Sequence, residues 1–230
     1  MVLQITPEGV VLGAKFLAYE NFPAKVLSHL RHCPSTPRCE ELGSRLNTLL
    51  LEGTGTDQHI CPFIREVCEW GGKTGNRVRG TIQKGYNGVS ITTHFTAASK
   101  ALSVVRIDSP PDVLEGGLTR AIHEITEIYG LSTSYASKML RFLRPDVAGV
   151  FDSVISGITG CDCNEINFAR CSVDCTMVAH RLTAAGVVNP RTDSLLWRAG
   201  DVDQALFALC QGWSQGRRSE SGTFDHHGRI

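Results

Sequence analysis

The sequence AIHEITEIYGLSTSYASKMLRFLRPDVAGVFD, residues 121–152, carries the pattern that best predicts the fold of this chain. Apolar residues recur at helical spacing on both sides of a short turn at residues 129–132. A second helix then runs over residues 134–143. Ser132 or Thr133 suits its N-cap, because a hydroxyl oxygen can accept hydrogen bonds from first-turn N–H groups. The stretch therefore predicts two helices joined by a tight turn.

The second of these helices has one broad apolar face, which we expect to lie in the core. Four polar residues share the opposite face: Ser134, Ser137, Arg141 and Arg144. Lys138 lies on the flank between the two faces. The helix ends at Pro145, and a further helix begins directly after the loop, with Asp152 or Ser153 near its N-cap. The sequence thus predicts a lysine and a carboxylate on neighbouring elements.

The remainder of the chain predicts an all-α protein made of two helical subdomains. Apolar residues at helical spacing, bounded by Gly and Pro, predict further helices over residues 24–32, 38–51, 57–70, 91–104, 112–129, 163–182 and 202–210. A proline pair in the segment 108–112 marks the expected subdomain boundary within a single domain, residues 1–230. The polar tail, residues 215–230, has little to bury, and we expect it to be flexible.

Charge is unevenly distributed along the chain, although the formal net charge of the 230 residues is zero. Residues 70–107 contain no Asp or Glu and hold six Lys or Arg residues. Within this window, a stretch rich in Gly and Asn predicts an irregular loop rather than a helix. Flexible backbone and cations favour phosphate binding, and four basic residues are the candidates for it: Lys73, Arg77, Arg79 and Lys84.

The cysteines predict a reducing compartment and no metal site. Nine cysteines, an odd number, stand at irregular spacings. The set Cys161, Cys163, Cys171 and Cys175 has the spacing C-x-C-x7-C-x3-C, which differs from the usual zinc and iron–sulfur patterns. No basic, apolar leader opens the sequence, and no run of apolar residues is long enough to span a membrane. We expect a cytoplasmic protein without a membrane span, a metal or an organic cofactor.

The segment Gly130–Val154, GLSTSYASKMLRFLRPDVAGVFDSV, resembles the active-site region of helix-hairpin-helix DNA glycosylases, most closely their 8-oxoguanine DNA glycosylase-like bacterial branch. The resemblance implies an all-α fold with an active-site cleft between two subdomains and a hairpin that binds the DNA backbone. It implies a lysine nucleophile at Lys138 and a catalytic aspartate at Asp152. This chain departs from the family in having Ser132 where a second hairpin glycine is usual, and its lysine lies about one turn further into the helix.

The same resemblance implies a monomeric bacterial enzyme that acts on double-stranded DNA. Four hairpin residues would contact the DNA backbone: Gly130, Ser132, Thr133 and Ser134. Because the target base must leave the stack, an aromatic pocket wall is expected, and the candidates include Trp70, Tyr135, Phe151 and Trp197. The substrate would be an oxidised purine or a hypermodified phage base such as glucosylated hydroxymethylcytosine, the latter in antiviral defence. The alternative is a non-catalytic helix-hairpin-helix module that only binds DNA.

Overall fold

The computed structural model describes residues 2–72 and 91–213, and most of these residues are helical. The predominantly helical fold is therefore confirmed. The prediction of an all-α protein is wrong in one respect, because the N-terminal segment forms a small antiparallel sheet ahead of the first helix. Lys73, Arg77, Arg79 and Lys84, like the tail 215–230, lie outside the described residues.

The sheet has three short strands, β1 (Gln4–Ile5), β2 (Gly9–Leu12) and β3 (Lys15–Ala18), in the order β1-β2-β3. Leu12 pairs with Lys15 across a two-residue turn, and Gly13 in this turn has a φ of 59°, which a glycine adopts without steric cost. These strands are too short to show a clear alternation of apolar and polar residues, so periodicity did not reveal them.

Nine α-helices follow within the described residues, and all nine correspond to predicted helices or to the one expected after Asp152. They are α1 (Phe22–His32), α2 (Thr36–Leu51), α3 (Asp57–Trp70), α4 (Ile91–Ser103), α5 (Pro111–Thr126), α6 (Thr133–Leu143), α7 (Ser153–Thr159), α8 (Glu165–Ala184) and α9 (Ala199–Cys210). The ninth, α9, starts three residues before its predicted start at residue 202. The other helices begin and end within a few residues of their predicted limits. The larger of these differences lie at turns that contain Pro or Gly.

Helix α6 lies centrally, in contact with α2, α3, α5 and α8. Gly43 of α2 packs directly against the backbone of α6. A Cβ atom at this position would lie 2.1 Å from the carbonyl oxygen of Phe142. Only glycine leaves room for two helix backbones at this separation. The position of α6, and of the side chains it carries, is therefore determined by direct backbone contact.

The predicted polar face of α6 is wrong for two of its four residues. Ser137 and Arg141 are completely buried, and every residue from Tyr135 to Leu143 is buried. The reason is tertiary: α6 is surrounded by neighbouring helices, so its polar side chains find partners inside the protein rather than in water.

The buried apolar side chains of the described residues form one connected core. The loop that joins α4 to α5 includes the predicted subdomain boundary near residues 108–112, and the division into two subdomains stays a prediction. Among the helices of residues 2–72 and 91–213, none has the length and apolar character needed to cross a bilayer.

Candidate active site

Lys138 of α6 and Asp152, which directly precedes α7, form an ion pair. The Lys138 Nζ lies 3.0 Å from Asp152 Oδ2, and the two residues are only 6% and 7% exposed. The same Nζ donates to the carbonyl oxygen and the hydroxyl of Ser134, both at 3.3 Å, and lies 5.1 Å from the centre of the Tyr135 ring. Lys138 is therefore buried rather than on a half-exposed flank.

Of the two predicted candidates, Asp152 is the N-cap of α7. Its Oδ1 accepts hydrogen bonds from the backbone N–H groups of Val154, at 3.0 Å, and Ile155, at 3.4 Å. The other carboxylate oxygen is left to Lys138. At the N-cap, the carboxylate thus satisfies two N–H groups that have no partner within the helix.

The loop that delivers Asp152 is held by buried side chains from three helices. The N–H of Gly149 donates to the Ser172 hydroxyl at 3.2 Å. The N–H of Val150 donates to the carboxylate of Asp203. The N–H of Phe151 donates to the Ser137 hydroxyl at 3.2 Å. Three consecutive backbone donors are thus bound just before the aspartate, which restricts where its carboxylate can lie.

An open depression of about 480 Å³ adjoins the ion pair. It is lined by residues from the starts of α6, α7 and α8 and from the end of α5: Thr126, Leu131, Ser132, Thr133, Ser134, Ser153, Cys163 and Glu165. Ser134 contacts the lysine, and Ser153 follows the aspartate. Lys138 and Asp152 do not line the depression themselves, but it lies next to the pair through these two serines.

The turn before α6 has the features expected of an oxygen-binding edge. Gly130 has a φ of 92°, a left-handed conformation that favours glycine. Ser132 is the N-cap of α6, and its side chain makes no capping hydrogen bond. The first-turn N–H groups of α6 and the hydroxyls beside them thus border the depression, where a ligand oxygen could accept from them.

Five residues of the depression were not predicted as site residues, and two of them, Cys163 and Glu165, have titratable side chains. Glu165 accepts a 2.6 Å hydrogen bond from the Thr126 hydroxyl. The Cys163 thiol donates to the carbonyl oxygen of Phe151 at 3.4 Å. Burial, together with the negative charge of Asp152, raises the pKa of this thiol, and Lys138 partly offsets the rise. The sequence offered only a cysteine with the wrong spacing for metal and a helix-start glutamate, neither of which is a distinctive signal.

The four predicted pocket aromatics occupy different environments. Tyr135 lies beside Lys138, and its hydroxyl donates to the carbonyl oxygen of Gly71 at 3.4 Å. Trp70 is half-buried, with its indole N–H bound to the Thr36 hydroxyl. Phe151 and Trp197 are at most 1% exposed, so both are core residues. Of the four, Tyr135 is the one whose ring lies beside the Lys138 ammonium.

A second buried charge cluster lies almost one turn further along α6. Arg141 Nη1 lies 2.7 Å from Glu40 Oε1, and its Nη2 donates to the carbonyl oxygen of Gly200 at 3.2 Å. Glu40 also pairs with Arg191 and Arg198. Burial raises the pKa of Glu40, but the three arginines outweigh that effect and hold it at about 2. Neither Arg141 nor Glu40 lines the depression.

In residues 2–72 and 91–213, no three His, Cys, Asp or Glu side chains gather in a way that could hold a metal ion. Comparisons of this chain with models of known protein families, with curated proteins and with solved structures gave no match.

Proposed function

We propose that this protein is a helix-hairpin-helix DNA glycosylase that excises a modified base from double-stranded DNA. The observation that carries the proposal is the 3.0 Å contact between Lys138 Nζ and Asp152 Oδ2 beside an open depression. These are the two residues that the sequence resemblance implies as nucleophile and catalytic aspartate. In this proposal α5, the turn and α6 are the helix-hairpin-helix motif.

The proposed chemistry assigns a distinct role to each residue. Cleavage of the N-glycosidic bond develops positive charge on the sugar, which the Asp152 carboxylate stabilises. Lys138 attacks C1′ as a neutral amine, and the short contact with Asp152 offers a path for the ammonium proton. The bond electrons leave with the base, which takes up a proton. If the lysine stays bound, the sugar ring opens to a Schiff base, and strand cleavage can follow.

The two edges of the depression suit different parts of a DNA ligand. The edge formed by Ser132, Thr133 and the start of α6 suits a phosphate, because hydroxyl and N–H donors meet the positive end of a helix there. Glu165, with its side chain 32% exposed, lies on the α8 edge, where it would repel a phosphate. It would instead accept a hydrogen bond from an amino or hydroxyl group of the substrate.

The substrate classes remain those implied by the resemblance: an oxidised purine, or a hypermodified phage base such as glucosylated hydroxymethylcytosine. A monofunctional glycosylase would hydrolyse the bond with Asp152 alone, whereas a bifunctional one would also use Lys138. The second candidate function is a DNA-binding module without catalysis. The burial of both charged groups favours that alternative, since such a pair can serve simply to join two helices.

Borohydride trapping distinguishes these possibilities. We expect the wild-type protein to form a covalent adduct with duplex DNA containing 8-oxoguanine or glucosylated hydroxymethylcytosine, and Lys138→Ala to form none. Lys100→Ala, which removes an exposed lysine of α4, is the matched control and should retain the adduct. Released bases are identified by mass spectrometry, with bacterial and phage DNAs as a wider panel.

Each remaining outcome has a defined meaning. Base release that persists in Lys138→Ala but disappears in Asp152→Asn indicates a monofunctional glycosylase. If no DNA of the panel loses a base while the protein still binds DNA, the binding-module function is favoured over the glycosylase.

A further inference from the structure

Asp203 is the only charged residue among the three side chains that accept from backbone N–H groups of the loop before Asp152. It is 5% exposed, and its carboxylate accepts from the N–H of Val150, two residues before the aspartate. The other two anchors are the neutral hydroxyls of Ser137 and Ser172. We propose that Asp203 is a positioning residue that sets the geometry of the Lys138–Asp152 pair. This inference rests on the proposed function.

The argument from geometry is that Asp203 connects both elements that carry the pair. Its Oδ2 lies 3.8 Å from Nε of Arg141, which is on α6 three residues after Lys138. On the other side it binds the loop that ends at Asp152. These links form a closed circuit. Helix α6 joins Lys138 to Arg141, Arg141 contacts Asp203, and Asp203 contacts Val150. The loop then leads from Val150 to Asp152, which pairs with Lys138.

Close packing leaves this circuit little freedom. A Cβ atom on Gly149 would lie 3.5 Å from Asp203 Cβ and 3.5 Å from Cys175 Sγ, so the loop lies directly against α8 and α9. Because interiors are packed without spare volume, a weaker Asp203 contact is transmitted to the loop. A misplacement of reacting groups by about 1 Å can reduce a rate on the order of a hundredfold.

The charge of Asp203 is open to change near neutral pH. Burial raises its pKa to about 7, against the opposing effects of Arg141, the Val150 hydrogen bond and Lys138, and with a further rise from Asp152. Cys175 of α8 and Cys210 of α9 are the other titratable groups that face it. Below pH 7 the wild-type protein therefore carries a neutral Asp203, as an Asp203→Asn variant does at every pH.

The test compares Asp203→Asn with Asp201→Asn. Asp201 is equally buried on the same helix, but it pairs with Arg191 and Arg198, away from the loop. We expect Asp203→Asn to lower single-turnover base release at saturating DNA on the order of ten- to hundredfold, with unchanged DNA affinity. The ratio of wild-type to variant rate should shrink as the pH falls below 7. Asp201→Asn should lower thermal stability and leave the rate of the folded protein unchanged.

A readout without DNA separates this inference from the proposed function. The chain has six lysines, so a lysine-labelled sample gives few side-chain ¹³Cε signals. The signal that is missing from the Lys138→Arg variant is the signal of Lys138. We expect this signal to move in Asp203→Asn and to stay in place in Asp201→Asn. If the wild-type protein releases no base from any DNA, the proposed function fails, and this signal still tests the positioning role.

The positioning role is overturned if Asp203→Asn matches Asp201→Asn, with wild-type rate and an unmoved Lys138 signal. Should Asp203→Asn fail to fold, a titration of the wild-type protein decides instead. A step in the Lys138 signal near pH 7 supports coupling to Asp203, and a flat signal through that range contradicts it.

Discussion

Two buried charge clusters share helix α6, and they differ in access. The Lys138–Asp152 pair adjoins the open depression, and the lysine has one carboxylate partner. The Arg141 cluster, three residues further on, is enclosed by α2, α9 and the segment that precedes α9. Its guanidinium is completely buried and lies near two carboxylates, Glu40 and Asp203.

The difference teaches that burial of an ion pair does not by itself mark an active site. An enclosed guanidinium beside two carboxylates can only hold elements together, since no ligand reaches it and no proton can leave it. A lysine beside a depression, with a single carboxylate partner, can exchange that partner for a ligand. On this reasoning we expect the Arg141 cluster to contribute stability, and we keep the Lys138–Asp152 pair as the candidate for function.

The largest expected effect comes from replacing each cation with methionine. Arg141→Met leaves Glu40 and Asp203 without their shared partner, and we expect a loss of about 3–5 kcal/mol in the free energy of unfolding. Lys138→Met should cost about 1–2 kcal/mol, because Asp152 keeps its two backbone donors. Urea unfolding followed by circular dichroism measures both losses. Equal losses would show that the two clusters do not differ in structural role.

His29 lies near the Arg141 cluster, and its protonation makes the free energy of unfolding depend on pH. Burial, together with the positive charges of Arg141 and Arg191, lowers its pKa from 6.5 to about 3. A depressed histidine pKa adds stability that is present above pH 6.5 and is lost as the pH falls toward 3. At about 1.4 kcal/mol per pH unit, the loss amounts to a few kcal/mol.

Urea unfolding at several pH values tests this expectation. His29→Gln should flatten the acid loss of stability relative to wild type. His123→Gln, on the depression side, with its side chain 59% exposed, is the control and should retain the wild-type pH dependence. Glu40 also loses stabilisation in acid, and Asp203 gains it, but both contributions are common to the variants. An unchanged slope in His29→Gln would contradict the assignment.

The smallest expected effect separates the capping role of Asp152 from its proposed chemistry. Asp152→Ala loses the ion pair with Lys138 and, in addition, about 1 kcal/mol typical of a lost N-cap; Asp152→Ser should recover most of the capping part without restoring base release. Asn164, the N-cap of α8, accepts from the N–H of Asn167 at 2.9 Å. Asn164→Ala is therefore the matched control, with a loss of stability similar to the capping part and full base release. Full activity in Asp152→Ser would limit Asp152 to a cap.

Much of the fold and part of the site could be predicted from the sequence, because local rules apply to them. Apolar periodicity located the helices, and the cap preference of aspartate placed Asp152 at the start of α7. The closeness of Lys138 and Asp152 was implied only by the resemblance. Its catalytic meaning stays a prediction.

The features that escaped prediction depend on distant residues. Arg141 looked solvent-exposed because its partners, Glu40 and Asp203, lie on other helices far away in sequence. The same holds for Ser137, whose hydroxyl accepts from the Phe151 N–H. Trp197, a predicted pocket residue, packs edge-on against Phe22, and its indole N–H donates to the carbonyl oxygen of Val187. No local pattern distinguishes such a core tryptophan from a pocket wall.

The contact between Gly43 and the carbonyl group of Phe142 has a consequence for how this protein can vary. Any side chain at position 43 must displace α6, since the opposing atoms belong to the backbone and cannot rotate away. Lys138 would move with that helix, whereas the loop before Asp152 is also held from the other side by Ser172 of α8 and Asp203 of α9. Position 43 therefore exerts steric control over the separation of the two charged groups, and a residue with no polar atom in its side chain becomes a determinant of the site.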